Sequence, residues 1–198
     1  MTRNPDKTRE RLLLAAFAEM HHHGFQAASL SRILARAEMT KGAMYHYFKS
    51  KHELGYAVVD EILPLRLEEV FFRHMGEQDS FLDGLLRALN NAISERSDTL
   101  IMLGCPLNNL AQEMSPVDEE FRVRVDKIFA WWRGRLMEGI RQAQAQGQVR
   151  HDVDPEEVAL FLLAALEGCI GMAKNAQSIE TFAKCVHALA GYVETLRA

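Results

Sequence analysis

The sequence predicts an all-α protein of about nine helices, with a small three-helix head at the N-terminus and a larger helical body behind it. Three observations carry that prediction. Apolar residues recur at helical spacing along the 198 residues, and no segment alternates in the manner of a strand. Helix start and stop residues punctuate the chain throughout. Charge is divided unevenly: residues 1 to 55 hold nine Lys or Arg against five Asp or Glu, a net +4, which leaves −8 on the rest of a chain whose total is −4. A basic head on an acidic body points to one end that meets a polyanion. The composition shift falls near residue 50 and divides the chain into residues 1–50 and 51–198.

Each helix has its own signal. Asn4 followed by Pro5 reads as an N-cap and a first helical position. Leu12, Leu13, Ala16, Phe17 and Met20 form the apolar stripe of a helix that runs to about His23, where Gly24 ends it. Ser29 caps a second short helix through about Ala37, and Thr40 caps a third to about Tyr47. Ser50 with Glu53 makes a capping box for a fourth, long helix. Pro64 falls inside it, removes one backbone hydrogen bond, and predicts a kink. Ser80 starts a fifth helix to about Arg96, and residues 105–114 form a short sixth. Ser115-Pro116 opens a long seventh that Gly147 ends. Asp154-Pro155-Glu156-Glu157 starts an eighth, and Ser178 a ninth.

Several function classes find no support. No run reaches the length of a membrane span. The N-terminal segment is basic and then apolar, but it lacks a small-residue cleavage site and keeps helical period, so it reads as a structured helix of a cytoplasmic protein. Cys105, Cys169 and Cys185 are odd in number, far apart and without Cys-x-x-Cys spacing, which fits neither a disulfide framework nor a zinc site. His21, His22 and His23 point in different directions from one helix and cannot chelate together. No nucleophile elbow, zinc-protease motif, phosphate loop or dinucleotide fingerprint is present, so no metal, cofactor or catalytic set is expected.

The run "TKGAMYHYFKSKHEL", residues 40–54, packs three aromatics, three lysines and two histidines into fifteen positions. The two short helices around it, about 29–37 and 40–47, are separated by Glu38 and Met39, which is helix-turn-helix spacing. In that geometry the second helix lies in the DNA major groove and the first crosses the backbone. Thr40, Lys41 and the Gly42 amide then stand at the start of the recognition helix, suited to phosphates or base edges. Gly42 lets backbone approach DNA closely. Tyr45, His46 and Tyr47 offer hydroxyl or imidazole groups to phosphates and apolar faces to thymine methyls. Lys49 and Lys51 follow at the edge. Met44 and Phe48 read as core, together with Phe25, Leu30, Ile33 and Leu34, and one of the two tyrosines joins them. The competing reading is a solvated helix pair, since the motif is degenerate.

The segment "GFQAASLSRILARAEMTKGAMYHYFKSKHEL" strongly resembles the DNA-binding segment of TetR-family transcriptional regulators, most specifically in its Y-x-Y-F-x-S-K-x-x-L end. The resemblance spans about residues 8 to 55. It implies a homodimer that sits on a near-palindromic, double-stranded operator and is released by a small molecule bound in the helical body. By position it implies DNA contacts at Thr40, Lys41, Gly42, Tyr45, His46, Tyr47 and Lys51, with Ser29 and Ser31 next. The departures are Leu34 before Ala35, and Glu38-Met39 where the family has Gly-Val. A glutamate in a turn that needs positive φ costs about 1 kcal/mol, and its carboxylate faces phosphates poorly.

In the body, "GCPLNNLAQEMSPVDEEFR", residues 104–122, resembles the G-C-L-x-x-N-L-x-x-E signature of a TetR subgroup that responds to small electrophiles or unsaturated acids. That resemblance implies Cys105 at the start of the sixth helix, beside the ligand cavity. A thiol there has its thiolate stabilised by the helix terminus. Pro106 stands where the subgroup has an apolar residue. The plain alternative is a buried, inert cysteine, and Cys169 and Cys185 read as core. Asn108, Asn109 and Glu113 either line a polar corner of the cavity or face water. Of Trp131 and Trp132 one packs inward and the other cannot share its face; Trp131 is taken as the ligand candidate. The eighth helix is apolar nearly all round and must be buried on several sides. With the ninth it predicts half of an intermolecular four-helix bundle, with Phe161, Ala164, Ala165, Gly168, Val186 and Leu189 on the dimer surface. Two rival functions are a thiol switch acting through Cys105 and, from another class, a helical enzyme with a cavity.

Overall fold

The computed structural model describes residues 5–75, 80–94 and 97–198. Asn4, expected to cap the first helix, and Arg96, expected to end the fifth, lie outside them. The described residues form eleven α-helical segments and no strand, only an isolated bridge between Val149 and Arg197. In chain order these are α1 (Pro5–Ala27), α2 (Leu30–Arg36), α3 (Lys41–Tyr45), α4 (Lys51–Ala57), α5 (Leu63–Val70), α6 (Phe81–Ser94), α7 (Ser97–Leu103), α8 (Pro106–Met114), α9 (Glu119–Ala145), α10 (Pro155–Ala176) and α11 (Ile179–Glu194).

Two elements account for the excess over nine. The long fourth helix is broken: α4 gives way to a π turn over Val58–Ile62 and resumes as α5, with a 3-10 turn at Phe72–His74 beyond. The break lies just upstream of Pro64, whose missing N–H leaves the ladder to be rearranged; the Leu63 N–H bonds back to the Val58 carbonyl, five residues away. The second addition is α7, a seven-residue helix too short to show a periodic stripe. The start of α9 also corrects the sequence reading. Ser115 and Val117 close the last turn of α8 through the Ala111 and Met114 carbonyls, and Asp118 is the residue that caps α9, accepting from the Phe121 N–H at 3.0 Å. Elsewhere the caps fall where expected: Ser29, Thr40, Ser50, Asp154 and Ser178 each accept a backbone N–H of the helix they start. Gly24, at φ 76° and ψ 165°, interrupts α1 as a glycine can and most residues cannot.

The chain forms two compact units. The first takes residues up to Arg66 together with Pro106–Asp126; the second takes Leu67–Cys105 and Lys127–Ala198. In the first, α1 packs on α2, α4 and α8. Leu12, Ala16, Phe25, Ile33, Leu34, Met44, Phe48 and Leu54 are buried there, each large side chain contributing about 1.5–3 kcal/mol of transfer energy. Leu30, expected among them, is only half-buried. Phe25, Phe121 and Tyr56 stack in series with centroids 4.5 and 4.9 Å apart. Gly55 makes this possible, because a Cβ there would come within 2.6 Å of the Phe25 ring.

In the second unit α10 packs on α11 and α7, and α11 on α6. Phe182, Val186 and Val193 are fully buried on α11. A void of about 10 Å³ lies among Phe71, Leu85, Leu89, Trp132, Leu136, Leu162 and Leu189. That is the space of roughly one water molecule. No helix among the described residues is long and apolar enough to cross a membrane.

Candidate nucleic-acid interface and sensor segment

The helix-turn-helix is held by local chemistry. Ser29 caps α2 by accepting the Arg32 N–H, and its hydroxyl lies 2.8 Å from that of Ser31. The Ser29 N–H is itself held by Glu19, a buried carboxylate of α1, at 2.9 Å, and Glu19 also takes the Arg32 guanidinium at 2.6 Å. Burial raises the Glu19 pKa, but the Arg32 and Ser29 hydrogen bonds outweigh it and leave the group below its ordinary value. The turn between α2 and α3 bends at Glu38 with φ 51°, the left-handed region that Gly or Asn enters more cheaply. Arg11 lies 3.5 Å from its carboxylate. Thr40 caps α3 by accepting the Ala43 N–H at 3.2 Å.

On α3 the residues sort by face. Met44 is wholly buried, and Phe48 just beyond it nearly so. Thr40, Lys41, Gly42, Tyr45 and His46 are exposed, with Tyr45 at 46% and the Lys41 ammonium 6.0 Å from its ring centroid. Tyr47 is half-buried. Gly42 has an ordinary helical backbone, and a Cβ there would meet nothing within 4 Å. Nothing among the described residues asks for a glycine at that position.

Lys51 sits differently. Its ammonium donates to the Gln26 carbonyl at 3.0 Å and lies 4.9 Å from the Phe25 ring centroid. Burial lowers its pKa, and the nearby Glu113 and Glu19 oppose that. The first unit is braced further by Arg9, whose guanidinium grips Glu61 through two hydrogen bonds of 2.6 Å, and by Asp118. Burial pushes the Asp118 carboxyl up, but hydrogen bonds from the Phe121 N–H and the Tyr56 hydroxyl prevail and hold it below its usual range.

The 104–122 segment splits in role. Cys105 is buried immediately before α8. Asn108 and Asn109 are half-buried, and Asn108 accepts weakly from Gln112 at 3.5 Å. Glu113, left open between cavity and water by the sequence, does neither: its two oxygens accept the Phe25 and Gln26 N–H groups at 2.8 Å each. In the second unit, Trp132 and not Trp131 borders the void. Trp131 lies at the surface against Phe72, ring centroids 5.1 Å apart, with Arg135 alongside. The Trp132 Nε1–H is buried and finds no acceptor among the described residues.

The dimer candidates also divide. Phe161, Ala164 and Gly168 are exposed on α10 in line with Leu160 and Met172, and Ala165 is half-buried. Val186 and Leu189 are buried in the core of the second unit and cannot belong to a free face. Cys169 is buried as expected, its thiol pushed up to about 11 by burial and by the neighbouring Cys185. His23 lies 3.9 Å from Glu19; among the described residues no three metal-ligating side chains come together.

Sequence reasoning missed Glu19 and Trp132 and left Glu113 unassigned. Glu19 carried a signal, a carboxylate on the same helical face as Leu12 and Ala16. The partners of Glu113 lie 87 and 88 residues away, and no local pattern announces them.

Comparison with known proteins adds independent evidence. Residues 12–58 match the family model for bacterial regulatory proteins of the tetR family. Residues 82–189, more than half of the chain, match the model for the tetracyclin repressor-like C-terminal domain. The chain is 28% identical over 172 residues to the transcriptional regulator AcuR of Cereibacter sphaeroides, covering 83% of this chain and 75% of that one. It is 27% identical over 177 residues to the HTH-type transcriptional repressor NemR of Escherichia coli, covering 87% of each. A solved TetR regulator from Chloroflexus aurantiacus superposes with a TM-score of 0.88 at 25% identity, over 99% of this chain and 98% of that one. The chain therefore belongs to the TetR family and is a DNA-binding transcriptional regulator.

Proposed function

We propose that the protein is a homodimeric cytoplasmic repressor, without catalytic activity, that leaves a near-palindromic operator when a small molecule enters its helical body. In this reading residues 1–50 read DNA, and residues 51–198 take the ligand and the second copy. The observation that carries it is the sorting of α3: Met44 anchors the helix, while Thr40, Lys41, Gly42, Tyr45 and His46 remain outside. A glycine with open space around it is what close approach of a DNA backbone would require. Ser29 and Ser31 stand at the start of α2 for the phosphates. Tyr47 and Lys51 serve mainly to position, and the exposed stripe of α10 takes the second copy.

The void around Trp132 is too small for an organic molecule as it stands. An inducer must open it, and it releases DNA only to the extent that it binds the opened form more tightly. The apolar walls and the free Trp132 N–H suit a compact apolar molecule with one hydrogen-bond acceptor. The test is titration of the purified protein with DNA from its own promoter region at rising salt. Binding that weakens steeply with salt and is stronger than to a scrambled duplex supports the reading; no preference overturns it.

A second reading has two observations in its favour. Cys105 is the last residue before α8, and NemR, solved in a form described as reduced, shares the fold at a TM-score of 0.82. If Cys105 is the sensor, Cys105→Ser abolishes induction; if the ligand binds without covalent chemistry, induction survives.

A further inference from the structure

We propose that Glu113 is the positioning residue that makes α8 one body with the DNA-reading helices, so that any shift of α8 is passed to α2 and α3 through the Phe25–Gln26 backbone. This rests on the operator-binding reading above. The carboxylate accepts two adjacent N–H groups, those of Phe25 and Gln26, at 2.8 Å each. These are the first free amides after Gly24 breaks α1, and a carboxylate is the group best suited to take a pair of converging N–H donors.

Two further features show how closely the contact is built. A Cβ on Gly24 would lie 2.7 Å from Glu113 Oε2, so the residue that breaks the helix also makes room for the carboxylate. The carbonyl of Gln26 is held from the other side by the Lys51 ammonium of α4 at 3.0 Å. The backbone that leads into α2 is thus pinned by α8 at its donors and by α4 at an acceptor. The Phe25 ring fills the space between, against Phe121 and His52 with centroids 4.5 and 5.0 Å apart. Surface phosphate contacts are untouched by this arrangement. What it sets is the angle at which α3 is presented, and sequence-specific reading depends on that angle more than non-specific attraction does.

The test uses full-length wild type and Glu113→Gln, each titrated with the promoter duplex and with a scrambled duplex of equal length across about 50–200 mM salt. Glu113→Gln is expected to lose about tenfold or more in operator affinity, with scrambled-duplex affinity and salt slope unchanged. Gly24→Ala is expected to reproduce that loss, and the double variant to add little to either single one. Equal affinity of Glu113→Gln and wild type for the operator overturns the proposal, as does a parallel fall on both duplexes. Hydrogen exchange on the wild type gives a check that needs no variant: the Phe25 and Gln26 amides must be protected, and exchange at loop rates overturns the proposal. A wild type with no preference for the operator would instead sink the regulator reading itself, which is a separate result.

Discussion

The DNA-reading segment, residues 29–54, and the interior of the second unit are stabilised by different physics. In the first, polar side chains fix the helix starts: Glu19 holds Ser29, Ser29 and Thr40 cap their helices, Ser50 caps α4, and Glu113 and Lys51 hold Gln26 at its N–H and at its carbonyl. In the second, apolar side chains surround a void the size of a water molecule, and the buried Trp132 N–H has no acceptor among the described residues. Hydrogen bonds are directional and fix angles, whereas apolar packing is non-directional and can be repacked. The proposed function calls for both: a head that reads DNA needs the first quality, and a chamber that opens for a ligand needs the second.

The largest effect that would sharpen this contrast is in the interior. Trp132→Ala should destabilise the protein by about 3–5 kcal/mol, the range for deleting a large buried ring, seen as a lower urea midpoint. Tyr45→Ala should leave that midpoint unchanged and weaken operator binding by about 1–3 kcal/mol. If Tyr45→Ala cost stability instead, α3 would not be the exposed reading helix. Thr40→Ala removes a cap and should cost about 1 kcal/mol in unfolding free energy.

Acid should strike the first unit before the second. Glu19 and Asp118 are held below their ordinary values, so the stability they add is present above the unfolded values, about 4.3 and 3.9. It is lost as pH falls through the lower folded values. Hydrogen exchange followed down through that window should show α2 and the start of α9 opening while α10 and α11 stay protected. The smallest effect is at Glu38. Glu38→Gly relieves the positive φ at the expense of an exposed pair with Arg11, and should gain about 0.5 kcal/mol.

Most of the head was legible in the sequence because its signals are local. Ser29, Thr40 and Ser50 each declare the helix that begins at the next residue and accept the N–H three residues ahead, and Glu38 betrays its left-handed turn by standing where the family has glycine. The body was legible only in outline. Its helices show through Asp154, Pro155 and Ser178, but a face becomes inward or outward only through distant partners. Phe161 and Val186 are both apolar, and nothing nearby in sequence tells that one is exposed and the other sealed. The same blindness hid that Trp132, and not Trp131, borders the void, and left Glu113 without partners that lie 87 and 88 residues upstream. The π turn before Pro64 shows a third limit: a proline predicts that a ladder must change, but neighbouring packing decides how.

The most direct test of the account is methylation protection of guanine N7 on the promoter duplex. Major-groove entry by two copies of α3 predicts two protected patches about one helical turn, 10–10.5 base pairs, apart, both lost in Lys41→Ala combined with Tyr45→Ala. A protein that binds the duplex while leaving every major-groove N7 reactive would contradict it.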